Sequence, residues 1–480
     1  MENVIIFVYL LVVLGVGVLA GRNITNLREY AVAGKSYGTL IIFATLSASF
    51  IGGGFSMGNA ERVFLVGITN IVALWGFSLK ELLVARFIAP RMAQYPDAIS
   101  VGNIMEIHYG TVAKIFAGIF GFILCAGILG AQVGAMGYVF NLFLGIERIW
   151  GIMLGCGIVI IYATIGGMNS VIWTDVVQFV ILGIGMPLTL YFGIQHAGGI
   201  AAVSAAIPAS HLSLPTQPVA LLSLASLFLT FLFGETLVPP YLQRLLINRD
   251  VKKIARGTYL SGLFSIPFFA ITGLIGIVAL ALDPSVNPNL AMPYVIKQSL
   301  SPLFQGIVIA AIISIVMSSA DSFLNAAAIC FSNDIVRPLR RQAMAPLTEL
   351  RMARAITLVV GVLSVIFAIS IESVLGILIY AYNFWAPIIL VPLACAILGA
   401  SVSRSRFLAG AAAGIAAVLI WSYWLGKPWG IDGLVVGVFA NLGVFFAFDR
   451  KGVTVLSQSA NELAEFEEAA TLETVPVEYD

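Results

Sequence analysis

Charged residues are scarce in this sequence. Asp, Glu, Lys and Arg together make up 10% of its 480 residues, whereas soluble domains carry about 25%. Hydrophobic residues make up 60%, and the mean hydropathy is +1.01. A water-soluble fold of this length cannot bury so much apolar surface in its core. The composition therefore predicts a protein whose solvent is the lipid bilayer.

Groups that support catalysis, metal binding or disulfide bonds are also few. The three histidines accompany no nucleophile motif, so we expect no enzyme activity and no catalytic residue. The four cysteines lie inside apolar runs without metal-ligand spacing, and we interpret them as packing residues. A net charge of +1 without a basic cluster outside the membrane-flanking loops gives no reason to expect a nucleic-acid partner. No obligate protein partner is evident, so the expected partners are the bilayer and a small-molecule solute.

Thirteen apolar runs are long enough to cross a bilayer, which takes roughly 20 helical residues. They lie at 3–20, 39–66, 69–90, 112–142, 148–164, 172–194, 217–246, 255–282, 303–333, 352–370, 373–399, 405–424 and 431–448. The first run lacks the basic flank of a signal peptide, and we expect it to remain as a membrane helix. The sequence therefore predicts an all-α membrane protein of about thirteen transmembrane helices.

The distribution of basic residues predicts the orientation. When the predicted helices alternate in direction, all but four of the 25 Lys and Arg residues fall on one side. The four exceptions are Arg62, Arg148, Lys297 and Lys427. Because basic residues resist translocation, the rich side is the cytoplasm of a cell membrane, with the N-terminus outside and the C-terminus inside. Segment 451–480 is rich in glutamate, and we expect a disordered cytoplasmic tail there.

Two of the predicted helices are interrupted. The second contains Gly52-Gly53-Gly54, and the seventh contains Gly234-Glu235 followed by Pro239-Pro240. Broken backbone is tolerated in a membrane only where it lines a cavity, although glycines are also ordinary packing residues in membrane helices. The two breaks lie five helices apart and therefore in helices of opposite direction, as an inverted repeat requires.

This pattern predicts a domain organisation around a central site. The transporter-like core is expected at 39–400, with inverted repeats at about 39–200 and 215–400. The first helix and its loop, 1–38, and the last helices, 401–450, would be peripheral.

A polar stripe follows the ninth predicted helix. Its members recur at steps of three or four residues and share one face; they are Ser314, Ser318, Asp321, Ser322 and Asn325. An aspartate in mid-membrane costs roughly 2.5–3.5 kcal/mol unless it faces a partner or water. The stripe offers the oxygen ligands that a hard cation such as sodium prefers.

Two alternatives to a cation site remain open at this stage. Ser318 and Ser319 could bond back to carbonyls of their own helix, which is common in membrane bundles. The second intramembrane aspartate, Asp175, could pair with a buried base such as Arg86.

Three stretches carry a family resemblance: SASFIGGGFSMGNAE at 47–61, GGMNSVIWTDVVQ at 166–178 and MSSADSFLNAAA at 317–328. Over about residues 5–450 the sequence resembles the sodium:solute symporter family, and its motifs look nearest to the choline-transporter branch. The resemblance implies a LeuT-type fold of five plus five inverted helices. It also implies a secondary transporter that couples solute import to sodium by alternating access.

The resemblance further implies ion-binding residues. One sodium site would use the backbone carbonyls of Ala48, Ile51 and Ile315 and the hydroxyls of Ser318 and Ser319. A second site, found in some members, would map onto Asp175, Ser318, Asp321 and Ser322. Asp321 stands where some of those members have a hydroxyl, so this site is expected to hold either a second sodium ion or a proton.

The substrate-binding candidates are Phe50, Gly53 and Phe55 at the first break and Glu235 at the second. Sugar-transporting members place bulky aromatic residues at the second break, so the Gly234-Glu235 pair there argues against a sugar. An aromatic box for choline needs several rings, and Phe50 supplies one where Cys125 and Val238 stand at the other positions.

Glu235 predicts the chemistry of the solute. A carboxylate at an unwound helix in mid-membrane should meet a cation, which predicts an amine-bearing solute or a pairing with Lys80. For Lys80 itself, the alternative is a pair with the adjacent Glu81 that snorkels towards the cytoplasm.

The sequence thus predicts a sodium-coupled symporter that imports a small organic, amine-bearing solute. A proton-coupled or uncoupled transporter on the same fold and a solute-sensing membrane protein are the alternatives.

Overall fold

The computed structural model describes residues 2–34, 36–340, 344–370, 381–383, 385–447 and 454–455. Its α-helices are α1 (Glu2–Gly21), α2 (Leu27–Val32), α3 (Thr39–Phe50), α4 (Gly53–Val66), α5 (Thr69–Leu83), α6 (Val101–Tyr109), α7 (Thr111–Leu144), α8 (Arg148–His196), α9 (Ile200–Ala206), α10 (Pro218–Gly234), α11 (Pro239–Leu245), α12 (Val251–Leu282), α13 (Ala291–Ser299), α14 (Pro302–Ile329), α15 (Arg337–Leu339), α16 (Pro346–Ser370), α17 (Val391–Ile397), α18 (Arg404–Leu419) and α19 (Gly433–Ala447).

Shorter elements extend or connect these helices. The π-helices are Val84–Ile88, Cys330–Val336, Ala386–Leu390 and Ile420–Trp424, and the 3-10 helices are Ala89–Gln94, Ala209–Leu212, Pro288–Leu290 and Pro428–Gly430. The two-residue strands β1 (Ala400–Ser401) and β2 (Thr454–Val455) pair antiparallel. Apart from β2, the predicted tail 451–480 lies outside the described residues, as does the beginning of the predicted helix at 373–399.

Among the described residues, six helices are long and apolar enough to cross a membrane, and eight spans result if each of two bent pairs counts as one. The other predicted runs correspond to shorter helices, or they include residues outside the described part. Two predicted runs, 148–164 and 172–194, form the single 49-residue helix α8. At 1.5 Å per residue, a straight helix of that length would be roughly twice as long as a bilayer is thick.

Gly167 bends α8 and divides it into two spans. Its φ of 51° and ψ of −136° are non-helical, and this left-handed region favours glycine. A Cβ atom at this position would lie 2.4 Å from the carbonyl oxygen of Tyr30. Both the backbone conformation and the close approach of α2 therefore require glycine here.

The two predicted helix breaks are confirmed. α3 and α4 meet at an angle of 54°, and α10 and α11 at 58°. α3 ends because Ile51 and Gly52 are non-helical, with ψ of 63° and −179°. α10 ends before Leu237, which has a φ of 54°, and α11 begins with Pro239 and Pro240, whose missing N–H groups suit a first turn.

α14 runs through the centre of the bundle and contacts both breaks. It packs against α3, α7, α8 and α11, and most of its residues are buried. The predicted polar stripe on α14 therefore faces other helices and not lipid.

α1 packs closely against α8 through glycines. A Cβ atom on Gly17 would lie 2.7 Å from the Cβ of Tyr162, and one on Gly21 would lie 2.5 Å from the Cα of Gly166. The hydroxyl of Ser170 donates to the carbonyl of Gly17 at 2.5 Å. Small residues thus allow the two backbones to approach, as they do between other membrane helices.

Candidate transport site

A cavity of about 330 Å³ lies between the two helix breaks. Phe50 and Gly52 line it from the first break, and Glu235 lines it from the second. It extends to Arg62 near the end of α4 and to Asp432 just before α19. The cavity therefore extends from the two helix breaks to one end of the helix bundle.

The structure brings the predicted substrate-binding residues together at this cavity. Phe50, Phe55 and Glu235 line its wall, whereas Gly53 contributes through its neighbours Gly52 and Gly54. Gly52 must be a small residue, because a Cβ atom there would lie 2.7 Å from the Oγ of Ser319.

Two buried hydrogen-bond acceptors border this cavity without a partner among the described residues. Glu235 is 5% exposed; its Oε1 accepts from the hydroxyl of Tyr382 at 2.5 Å, but its Oε2 has no hydrogen bond. The Oε1 of Gln132 on α7 is equally unpaired. A buried unsatisfied polar group costs about 1–3 kcal/mol, so both atoms favour a ligand that donates hydrogen bonds.

The two serines of the predicted sodium site bond across to other helices. Ser319 donates to the carbonyl of Ser49 at 2.9 Å, and Ser318 donates to the Oδ1 of Asp175 at 2.5 Å. The alternative that these two serines bond back to their own helix is therefore wrong. It holds for two other members of the stripe: Ser314 donates to Ala310 at 2.7 Å and Ser322 to Ser318 at 2.8 Å.

The predicted carbonyl ligands lie at the same place. Ala48 and Ile51 stand at the C-terminal end of α3, where carbonyls lose their helical partners, and the carbonyl of Ser47 accepts the last helical bond from Ile51. Ile315 lies one turn before Ser319 on α14, and all of these residues are buried.

Asp175 is paired with Arg244 on α11. The two side chains are 2.9 Å apart and both 0% exposed. Arg244 also donates to Thr45 at 3.0 Å, to Ser322 at 2.6 Å and to Ser49. The predicted alternative that Asp175 pairs with a buried base is thus confirmed, but the base is Arg244 and not Arg86.

Asp321 is surrounded by hydroxyl groups. It accepts a hydrogen bond from Tyr162 at 2.5 Å, and the hydroxyl oxygens of Ser322 and Thr174 lie 3.1 Å and 3.3 Å from its carboxyl oxygens. The cluster of Asp175, Asp321 and Arg244 therefore holds two carboxyl groups and one guanidinium group. One more positive charge would neutralise it.

Lys80 and Glu81 form a second buried ion pair. Their charged atoms are 2.8 Å apart, and each side chain is 1% exposed, so the pair is confirmed while the predicted snorkelling is wrong. Tyr241 on α11 donates to Glu81 at 2.9 Å. Glu235 bonds to Tyr382, and the ion pair of Lys80 is with Glu81, so the alternative of a Lys80–Glu235 pair is also wrong.

The sequence prediction missed several residues of the site. Arg244 counts only as one of the basic residues on the cytoplasmic side in the sequence prediction, although it follows the second break within PPYLQR. Gln132 could have been found as an amide in the middle of a long apolar helix. Tyr162, Thr45 and Tyr382 carry no sequence signal that separates them from ordinary membrane-helix residues.

Comparisons with known proteins agree with this geometry. The profile of the sodium:solute symporter family matches residues 30–427. The high-affinity proline transporter of Bacillus subtilis is 24% identical over 429 residues, which cover 85% of this chain and 89% of the relative. High-affinity choline transporter 1 of Drosophila melanogaster is 25% identical over 392 residues, covering 77% of this chain and 62% of the relative.

A solved Na+-coupled sialic acid symporter, in a substrate-bound outward-open state, has the same fold. Its TM-score is 0.78 at 22% identity, over 93% of this chain and 98% of that one. This match confirms the predicted LeuT-type inverted-repeat fold. The chain therefore belongs to the sodium:solute symporter family and is a multi-pass membrane protein and sodium-coupled secondary transporter, as the sequence predicted.

Proposed function

We propose that this transporter imports a small solute that carries a protonated primary or secondary amine, and that Glu235 and Gln132 bind this amine. The proposal rests on one observation: two buried acceptor oxygens face the same cavity and lack partners there. An ammonium group with N–H donors would satisfy both. A quaternary ammonium has no N–H to donate, so choline could satisfy at most one of the two oxygens, through its hydroxyl group, which disfavours it.

The ends of the broken helices support a solute that also carries a carboxylate. α10 ends at Gly234, beside Glu235, and the carbonyl end of a helix favours a cation. α4 begins at Gly53 without a side-chain cap, beside the cavity-lining Gly52 and Gly54, and such an end favours an anion. Amino and imino acids have both charges, and proline, in the name of one relative, is such a solute.

For sodium we propose the site between α3 and α14. The carbonyls of Ala48, Ile51 and Ile315 and the hydroxyls of Ser318 and Ser319 would bind the ion. Sodium would thereby link a broken helix to the central one and stabilise the conformation that binds solute. One ion that enters down a tenfold gradient and about 100 mV supplies roughly 4 kcal/mol, enough for accumulation of several hundredfold.

A second cation would neutralise the cluster around Asp321. Arg244 already occupies two of the residues predicted for this site, Asp175 and Ser322. A further sodium ion or a proton would therefore be held by Asp321 and the hydroxyls around it.

The proposed orientation places the N-terminus outside and the C-terminus in the cytoplasm. The cavity reaches Asp432, which pairs at 2.8 Å with Lys427, a basic residue on the predicted outer side. Contacts of α11 occlude the opposite path: Arg244 binds Asp175, and Tyr241 binds Glu81. This arrangement corresponds to an outward-facing state of an alternating-access cycle.

The test begins with a thermal-shift screen of amino acids, amines, choline and sugars, with sodium or with N-methylglucamine. We expect sodium-dependent stabilisation by one or more primary or secondary amines. Uptake of that solute into proteoliposomes is then measured for Glu235→Gln, which retains an acceptor for Tyr382. Loss of a charge-assisted hydrogen bond of about 1.5–3 kcal/mol predicts a rise in KM of about tenfold or more.

Glu61→Gln is the matched control, because Glu61 is a half-buried carboxylate on the same broken helix as Gly53. It should leave KM unchanged. The proposal fails if Glu235→Gln alters neither uptake nor the range of solutes. Uptake that needs a pH gradient but no sodium would establish proton coupling instead, and binding without flux would establish a sensor.

A further inference from the structure

The Lys80 ammonium group lies inside a cage of three aromatic rings. Its Nζ is 3.7 Å from the ring centre of Phe77, 4.4 Å from that of Tyr241 and 5.5 Å from that of Phe50. Proteins use this arrangement to bind the ammonium groups of ligands. Here the ammonium belongs to the chain itself, and Glu81 at 2.8 Å supplies the counter-charge.

The three rings come from three different helices. Phe77 belongs to α5, Phe50 is the last residue of α3, and Tyr241 lies in α11. The halves of the two broken helices that lie on the proposed cytoplasmic side therefore meet at one ammonium group. The rings of Phe50 and Tyr241 also contact each other, with centres 5.1 Å apart.

Phe50 belongs to the cage and to the cavity wall at once. It lines the cavity, while the Lys80 ammonium group lies 5.5 Å from its ring centre. Lys80, which is itself 1% exposed, therefore lies behind a ring that forms part of the cavity wall.

A buried ion pair alone does not explain this arrangement. Two adjacent residues of α5 could be replaced by apolar ones at little cost in stability, because the desolvation of both charges offsets their attraction. What the pair adds is a cation that contacts rings from two other helices and a carboxylate that accepts from Tyr241.

We propose that the Lys80 ammonium is a built-in ligand of the Phe50–Phe77–Tyr241 cage, that it holds the cytoplasmic halves of α3 and α11 together beneath the cavity, and that it positions Phe50. Only the position beneath the cavity rests on the proposed function. Lys80 is a positioning residue, since it acts on the cavity through Phe50.

The experiment removes the tethered ammonium and supplies a free one. Lys80→Ala deletes the atoms of n-propylammonium, which can diffuse into the vacated cage. The readout is maleimide labelling of Ser261→Cys on α12, because Ser261 is 2% exposed and accepts from Ser47 of α3 at 3.2 Å. The parent that keeps Ser261 reports any labelling of native cysteines. This readout needs no transported solute.

We expect Lys80→Ala to raise the labelling rate about tenfold or more, the range that one desolvated cation–π contact predicts. Millimolar n-propylammonium should reverse the rise, and n-propanol, which is neutral and of similar size, should not. Rescue should persist in the Glu235→Gln background, which separates the cage from any amine bound in the cavity. Lys114→Ala is the matched control, because Lys114 pairs with Glu106 outside the cage.

Unchanged labelling in Lys80→Ala, or equal rescue by n-propanol, would overturn the proposal. Lys80→Met fills the cage without a charge and serves if the alanine variant does not fold. It should label faster than the parent and show no rescue, whereas labelling at the parental rate would also overturn the proposal. If the proposed substrate class is wrong, Glu235→Gln leaves solute uptake unchanged, and the labelling results expected here are unaffected.

Discussion

Arg244 offers a direct measure of the charge cluster beside the sodium site. Arg244→Met removes the guanidinium and leaves Asp175, which is 0% exposed, without its counter-charge. Breaking a buried ion pair from one side costs about 3–5 kcal/mol. For a chain of this size, an unfolding entropy of about 2.1 cal/mol/K per residue converts that loss into a fall in apparent melting temperature of roughly 3–5 °C. Fluorescence-detected melting of the detergent-solubilised protein in N-methylglucamine chloride measures it.

Two further variants test the cause of this loss. Arg244→Met with Asp175→Asn removes both charges and should recover most of the lost stability, which gives a coupling of at least about 2 kcal/mol. Arg28→Met is the matched control: Arg28 and Asp97 form an exposed pair, with side chains 39% and 87% exposed, so the shift should be at most about 1 °C.

Sodium provides an independent readout of the same cluster. In Arg244→Met, a cation can take the place of the guanidinium beside Asp175 and Asp321. We therefore expect replacement of N-methylglucamine by sodium to raise the melting temperature more in this variant than in the parent. If Arg244→Met melts with the parent, or if Asp175→Asn does not compensate, the ion pair does not stabilise the cluster as argued.

Two other variants test the sodium ligands and the bend in α8. Ser319→Ala removes a proposed sodium ligand and the hydrogen bond to Ser49. The sodium concentration for half-maximal uptake should rise about tenfold or more, with little change in solute KM at saturating sodium. An unchanged sodium dependence would exclude this hydroxyl as a ligand. Gly167→Ala forces a Cβ atom against the Tyr30 carbonyl at a φ of 51° and should lower stability by about 1–3 kcal/mol in melting experiments. Gly157→Ala in the same helix, with nothing within 4 Å, is its control and should melt with the parent, and a similar loss in both variants would refute the local explanation.

The helix breaks could be predicted from the sequence because glycine and proline act on the backbone directly. Gly52-Gly53-Gly54 and Pro239-Pro240 each place poor helix formers side by side, and the structure breaks near both. The join within α8 could not be predicted in the same way. A single glycine at positive φ turns the chain between two apolar runs, and a sequence does not show whether such a glycine bends a helix or packs within it.

The site was predictable where a residue is costly in a membrane and unpredictable where pairing decides its role. Asp175, Asp321 and Glu235 stand out because a carboxylate inside a membrane is energetically costly unless it has a partner or a function. Arg244 is equally costly, but a rule that counts basic residues on each side of the membrane assigns it only to the cytoplasmic side and gives it no partner. That it pairs with Asp175, 69 residues away, depends on how α11 packs against α8.

The same distinction applies to Lys80. Its neighbour Glu81 is visible in the sequence, and so was their pairing. The rings of Phe50 and Tyr241 are brought to it by the two broken helices, from positions far apart in the chain. Sequence periodicity reports which face of a helix is polar, but it does not report which helix end reaches that face.

The close packing of α1 against α8 gives this first helix a role in the electrostatics of the charge cluster. Gly17 lies against Tyr162, and Tyr162 is the residue whose hydroxyl bonds to Asp321. α1 therefore lies between the acyl chains and the Asp321 carboxyl group with its surrounding hydroxyls, and it shields the cluster of Asp175, Asp321 and Arg244 from lipid. A lipid tail that replaced α1 would contact the outer side of Tyr162 without restoring the hydrogen bond that Ser170 makes to Gly17. A helix that we predict to lie outside the inverted repeats would thus keep the membrane away from the charges at their centre.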